Sequence, residues 1–158
     1  MSAASPNSSS LKTDEKLARI AHDINRGNIY LDELNAKENY DIEKDTVPVS
    51  QIVALAQIVH NLYNGVEDIL EDIAKITDNF DPRSESSHSD LVNLMATKTS
   101  LRPAVLSPEL YSIMDDFRKF RHVVRHNCGD LLIAKKVVEK FDTFHRFFWP
   151  RFLDSLKP

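Results

Sequence analysis

The sequence predicts an all-α fold, an antiparallel bundle of four to five helices, and three observations carry that prediction. Apolar residues that recur do so with a period near 3.6. Three glycines and seven prolines in 158 residues are too few for a turn-rich β-sandwich. The sequence also has no strand-type alternation worth naming, no internal repeat and no glycine-rich phosphate loop. A chain of this length fits one domain with a core large enough to fold without a metal or disulfide staple.

Residues 1–12 hold five serines and no periodic apolar positions, so they read as a disordered tail before a helical domain over 13–158. The first helix follows Leu17, Ile20, Ala21, Ile24, Leu31 and Leu34, with Gly27 and Asn28 weakening its middle. From Ile52 to Ile76 the i, i+3, i+4, i+7 pattern is nearly faultless and predicts a long second helix, stopped by Asn79-Phe80-Asp81-Pro82. A polar loop over 81–90 and a short third helix over about 89–97 come next, then the irregular stretch 100–106. Ser107 and Pro108 suit the N-cap and first position of a fourth helix, whose apolar face runs Leu110, Ile113, Met114, Phe117, Phe120 and Val124 towards Cys128-Gly129. The last helix, about 132–149, carries Val137, Phe141, Phe144, Phe147 and Phe148, and Pro150 is expected to end or kink it.

The function classes are narrowed by charge and hydropathy. No apolar run reaches the ~18 residues of a membrane span, and the single cysteine, Cys128, cannot close an internal disulfide. With no signal-like N-terminus, a reducing cytoplasm is the expected location. A net charge of −4 argues against a surface that binds nucleic acid non-specifically, so any RNA contact must be local. Arg118, Lys119, Arg121 and Arg125 fall within eight residues that contain no acidic side chain, and an anion would be drawn there.

On a helical wheel, Arg121 borders the apolar stripe of the fourth helix, Arg118 and Arg125 lie further round, and His122 and His126 sit nearly opposite the core. The set suits phosphodiester cleavage: imidazole can move protons near neutral pH, and guanidinium grips phosphate through paired hydrogen bonds. Two other readings fit the same residues. Arginine and histidine on a helix flank are commonly a solvated face, and the i, i+4 spacing of His122 and His126 could hold a metal. No carboxylate or thiol with ligand spacing joins those histidines, so no metal or cofactor is expected. Cys128 reads as a small buried residue, the phenylalanine cluster as core or dimer contact, and His22, His60 and His145 as incidental. Arg102 could reach either the site or a helix C-terminus.

The segment Leu101-Arg102-Pro103-Ala104-Val105-Leu106, then Leu110-Tyr111 and Phe120-Arg121-His122-Val123-Val124-Arg125-His126, resembles the HepT-like ribonuclease toxins of the HEPN superfamily. His88 before a short helix fits that pattern too. The resemblance implies a HEPN-like bundle over 13–158 that dimerises so that two arginine-x4-histidine motifs, here Arg121 and His126, face each other. It further implies metal-independent endoribonuclease activity on RNA; beside the motif, His122, Arg125, Arg118, Lys119 and Arg102 are expected from their charge and placement to be auxiliary contacts. A toxin–antitoxin setting with a nucleotidyltransferase-type antitoxin is implied as well. Relatives often carry a tyrosine two residues after the histidine, the target of inhibitory modification; Cys128 stands there in this chain.

Overall fold

A computed structural model describes the backbone of residues 8–81, 87–125 and 133–157, with side chains over 13–81, 89–122 and 133–157. In chain order the described residues form α1 (Ser8–Asn35), α2 (Val49–Thr77), α3 (Ser87–Met95), α4 (Pro108–Arg125), α5 (Ala134–Asp142), a π-helical turn (Thr143–Phe148) and α6 (Trp149–Ser155). No strand occurs among the described residues, and the expected all-α bundle is what the chain builds.

Helix α2 is the centre of the bundle and packs against α1, α3, α4 and α5. Its sequence explains the position: Ile52, Leu55, Val59, Leu62, Val66, Ile69 and Leu70 put a continuous apolar stripe inside, and all are buried. Helix α1 begins at Ser8, inside the stretch read as a tail, and runs unbroken through Gly27 and Asn28. Gly27 costs helix propensity, yet a Cβ there would fall inside the ring of Phe141, so its missing side chain is what lets α5 approach α1. The stop of α2 comes at Asp78, before the expected proline. Asn79 takes the left-handed conformation at φ 53°, which asparagine tolerates, and the Phe80 amide turns back to the Ala74 carbonyl at 3.3 Å.

The start of α4 is as the sequence predicts: Ser107 Oγ accepts from the Leu110 amide at 3.2 Å and caps the helix. Leu110, Met114 and Phe117 are buried on its inner face. The irregular stretch before it is pinned to the end of α3, where the amides of Val105 and Leu106 both donate to the Met95 carbonyl, at 2.9 and 3.0 Å.

The C-terminal helix corrects one expectation. Pro150 does not end it: the chain stays helical from Ala134 to Ser155, with Pro150 in the first turn of α6. In a regular α-helix the proline ring would strike the carbonyl four residues back. The π turn just before it relaxes that conflict, and the Trp149 amide reaches back five residues to Phe144. Through this rod Phe141, Phe144, Phe148 and Phe152 are all fully buried, with Phe144 and Phe148 stacked at 5.3 Å and Phe148 and Phe152 at 5.5 Å. Phe144 meets Phe117 of α4 edge-on at 5.8 Å, as aromatic quadrupoles favour. Arg151 lies 3.6 Å over the ring of Phe147, on the outer side of the rod.

Candidate functional site

Arg118, Lys119, Arg121 and His122 stand on α4, and the helix turns them in two directions. Arg121 turns inward, towards α2. Its Nη1 stands 3.5 Å from Glu67 Oε2, with 19% of the arginine side chain and 7% of the glutamate side chain exposed. Its Cζ lies 5.8 Å from the centroid of the Tyr63 ring, a cation–π distance. Arg121 thus borders the apolar stripe, as the wheel predicts, but it does not stand on an open flank. The reason is α2: Tyr63 and Glu67 sit one turn apart on the face that α4 covers.

Neither Tyr63 nor Glu67 was singled out by sequence reasoning. Tyr63 lies in the apolar stripe of α2 and passes for core. Glu67 had one legible signal, an acid four residues after Tyr63 beside buried Val66 and Leu70. Desolvation raises the Tyr63 hydroxyl above the ordinary tyrosine range, against the opposing pull of Arg121 and Arg118.

Arg118 and Lys119 face outward and share one carboxylate, Asp115, at 2.9 and 3.4 Å. The hydrogen bond from Arg118, helped by Lys119 and opposed by burial, holds the Asp115 carboxyl below its ordinary range. The basic block is therefore partly compensated by the turn before it, which the eight-residue window does not include. Such exposed pairs contribute only about 0.2–1 kcal/mol, so a phosphate could displace Asp115. His122 is exposed on the same outer side. The backbone of Arg125 closes α4, while its side chain, the whole of His126 and Cys128, and the side chain of His88 lie outside the described residues.

Arg102 goes to a helix C-terminus, so its place among the auxiliary RNA contacts is corrected. It grips Asp78 with two bonds, Nε to Oδ2 at 2.9 Å and Nη2 to Oδ1 at 3.1 Å, and donates to the carbonyls of Leu94, Thr97 and Pro103 at 2.9–3.0 Å. Every guanidinium donor is used, leaving none for a substrate. The clamp ties the end of α2 to the end of α3, where unpaired carbonyls collect.

His60 and His145 pair with carboxamides, Asn64 at 3.0 Å and Asn28 at 3.3 Å, and His145 also stacks on Phe141. A cleft of about 350 Å³ between α1 and α2 is lined by Lys16, Arg19, Asp23, Asn61, Asn64 and Asp68, among others, and by none of the candidate residues. Its charges nearly cancel, and Lys16 is held by Asp72 at 2.7 Å. Among the described residues no His, Cys, Asp and Glu cluster could hold a metal ion, and no helix is long and apolar enough to cross a membrane.

No curated protein and no solved structure matches the chain. Residues 54–152, from the second turn of α2 to α6, match the model of a family described as HepT-like protein. That stretch spans well over half of the chain and contains Tyr63, Glu67, Arg121 and His126, the helices of the site and its motif together. On that match the chain belongs to the HepT-like family of the HEPN superfamily.

Proposed function

We propose that this protein is a metal-independent endoribonuclease toxin of a toxin–antitoxin system, cutting RNA at a composite Arg121/His126 site formed between two copies of the chain. The observation that carries the reading is the family match over 54–152 with the arginine-x4-histidine motif intact inside it. In the proposed reaction the RNA 2′-hydroxyl attacks the adjacent phosphorus and loses its proton to a base. The 5′-oxygen leaves with a proton from an acid, and the products are a 2′,3′-cyclic phosphate and a 5′-hydroxyl. An internal nucleophile needs no activated water. His126 serves as the principal acid or base and Arg121 as the phosphate clamp. Each protomer brings one motif, so two-fold pairing supplies both proton-transfer groups. His122, Arg125, Arg118 and Lys119 are auxiliary contacts, and a nucleotidyltransferase-type antitoxin is the proposed partner.

The test is incubation of the purified chain with labelled RNA in excess chelator, beside an all-2′-deoxy strand of the same sequence. Cutting of the RNA alone, ended by His126→Ala, is the expected result. Loss of activity in chelator that Mg²⁺ or Zn²⁺ restores, or efficient cutting of the deoxy strand, rejects the mechanism.

A second reading, a non-catalytic module that binds RNA, a nucleotide or a protein partner, is favoured by one observation, the inward tether of Arg121 to Glu67. Stable co-purification with a partner and no cleavage of any RNA would select it.

A further inference from the structure

We propose that Glu67 is a positioning residue for Arg121, holding the guanidinium at one end so that its other end meets the phosphate in a fixed orientation. The inference rests on the ribonuclease reading above and adds to it a residue from α2.

The argument is a contrast between two arginines. Arg102 is a structural arginine, with all five donors spent on Asp78 and backbone carbonyls and 7% of its side chain exposed. Arg121 is not built that way. Its Nη1 meets Glu67 at 3.5 Å, and its Nε is buried without an acceptor. At 3.5 Å that contact is well beyond the 2.7–2.9 Å of a tight charge-assisted bond. Buried polar groups are nearly always paired, so a partly buried arginine whose buried Nε is left unpaired calls for an explanation. The Tyr63 ring lies under the same guanidinium at 5.8 Å, and the tyrosine hydroxyl is close enough to Arg121 for the cation to oppose the effect of its burial.

Burying a carboxylate is unfavourable unless a cation meets it. Glu67 therefore draws Arg121 inward, and the Tyr63 face supports the cation from below. The tether leaves the exposed fifth of the side chain for an incoming anion. Arginine recognises phosphate by direction as well as charge, so fixing the plane of the fork matters to the transition state.

Glu67→Gln in the full chain is the variant of choice, because it keeps shape and removes the charge. Single-turnover and steady-state cleavage of labelled RNA should show kcat reduced roughly 10- to 100-fold, with KM within about twofold, because the loss falls on transition-state alignment. Glu67→Asp, with the carboxylate kept but drawn back, should fall between. Wild-type kcat in Glu67→Gln, or a loss that merely follows the folded fraction in a thermal melt, overturns the proposal. A second readout does not need cleavage: the ¹⁵N resonance of the Arg121 Nε–H, assigned by its disappearance in Arg121→Lys. It should shift and broaden in Glu67→Gln as the guanidinium loses its anchor. An unchanged resonance overturns the positioning role even if the RNA is cut. A shifted one in a protein that cuts no RNA upholds the tether and rejects the ribonuclease reading.

Discussion

At the scale of single residues, Arg102 and Arg121 are expected to fail differently. Arg102→Ala removes the cation from Asp78 at the end of α2 and the donors from the Leu94, Thr97 and Pro103 carbonyls, and breaking a buried pair from one side costs about 3–5 kcal/mol. Denaturant unfolding should show a loss in that range. Arg121→Ala takes a cation away from the buried Glu67 and should cost about 3 kcal/mol, the low end of the same range, because part of the arginine is exposed. That outcome replaces the neutral effect an exposed flank would imply, and it makes Arg121→Lys the better variant for reading activity. Asp78 carries a pH signature. Burial pushes its carboxyl up, but the hydrogen bonds from Arg102 and Thr77 outweigh it and hold the group below its ordinary range. A carboxylate with a depressed folded pKa binds fewer protons when native than when unfolded, so its contribution is complete above the unfolded value of about 3.9. It is lost as pH falls through the lower folded value. The stability gap between wild type and Asp78→Asn should therefore hold near neutrality and shrink below about pH 4, as followed by urea unfolding across that window.

At the scale of elements, close approach between helices decides which substitutions are tolerated. Gly27→Ala would gain about 1 kcal/mol of helix propensity. Overpacking costs about 1–3 kcal/mol, and the obstacle here is the fully buried ring of Phe141. The net effect expected is destabilisation. At Gly65 a new Cβ would meet the outer atoms of Ile20, at 2.8 and 3.1 Å, which can rotate away more cheaply than a ring. Thermal melts of the two alanine variants should rank Gly27→Ala clearly lower, and the reverse order would contradict this account of how α1 meets α5. Phe117 joins α4 to both α2 and the C-terminal rod, through Tyr63 at 6.5 Å and Phe144 at 5.8 Å. Phe117→Ala should cost about 3–5 kcal/mol through the cavity it leaves.

At the scale of the whole molecule, the proposed mechanism needs two protomers. The expected outcome in sedimentation at micromolar concentration is a homodimer; the 18.1 kDa protomer alone would count directly against a composite site. Mixing wild-type chains with His126→Ala chains offers a sharper measurement. Because the composite site takes a proton-transfer group from each protomer, the one-histidine heterodimer should be inactive, and activity should fall more steeply than the wild-type fraction.

The helix order, the stripe of α2, the serine cap of α4 and the family were legible in the sequence, because each depends on residues close together in the chain. A 3.6-residue period, a cap bonding three residues on and an arginine-x4-histidine motif are all local. Of the two outcomes expected at Pro150, an end or a kink, the end does not occur, because a neighbouring turn widens to make room for the ring. The direction of Arg121 was beyond any local rule. A wheel places it at the border of a stripe, and whether a border residue faces water or protein depends on the helix packed alongside. Sequence by itself determined that the chain is an α-bundle and that Arg121 and His126 stand in an arginine-x4-histidine motif. Tertiary structure alone decided that Arg121 would meet Glu67 and Tyr63, 54 residues and more away in the chain, because burying a carboxylate on α2 demands a cation and α4 is where the fold supplies one.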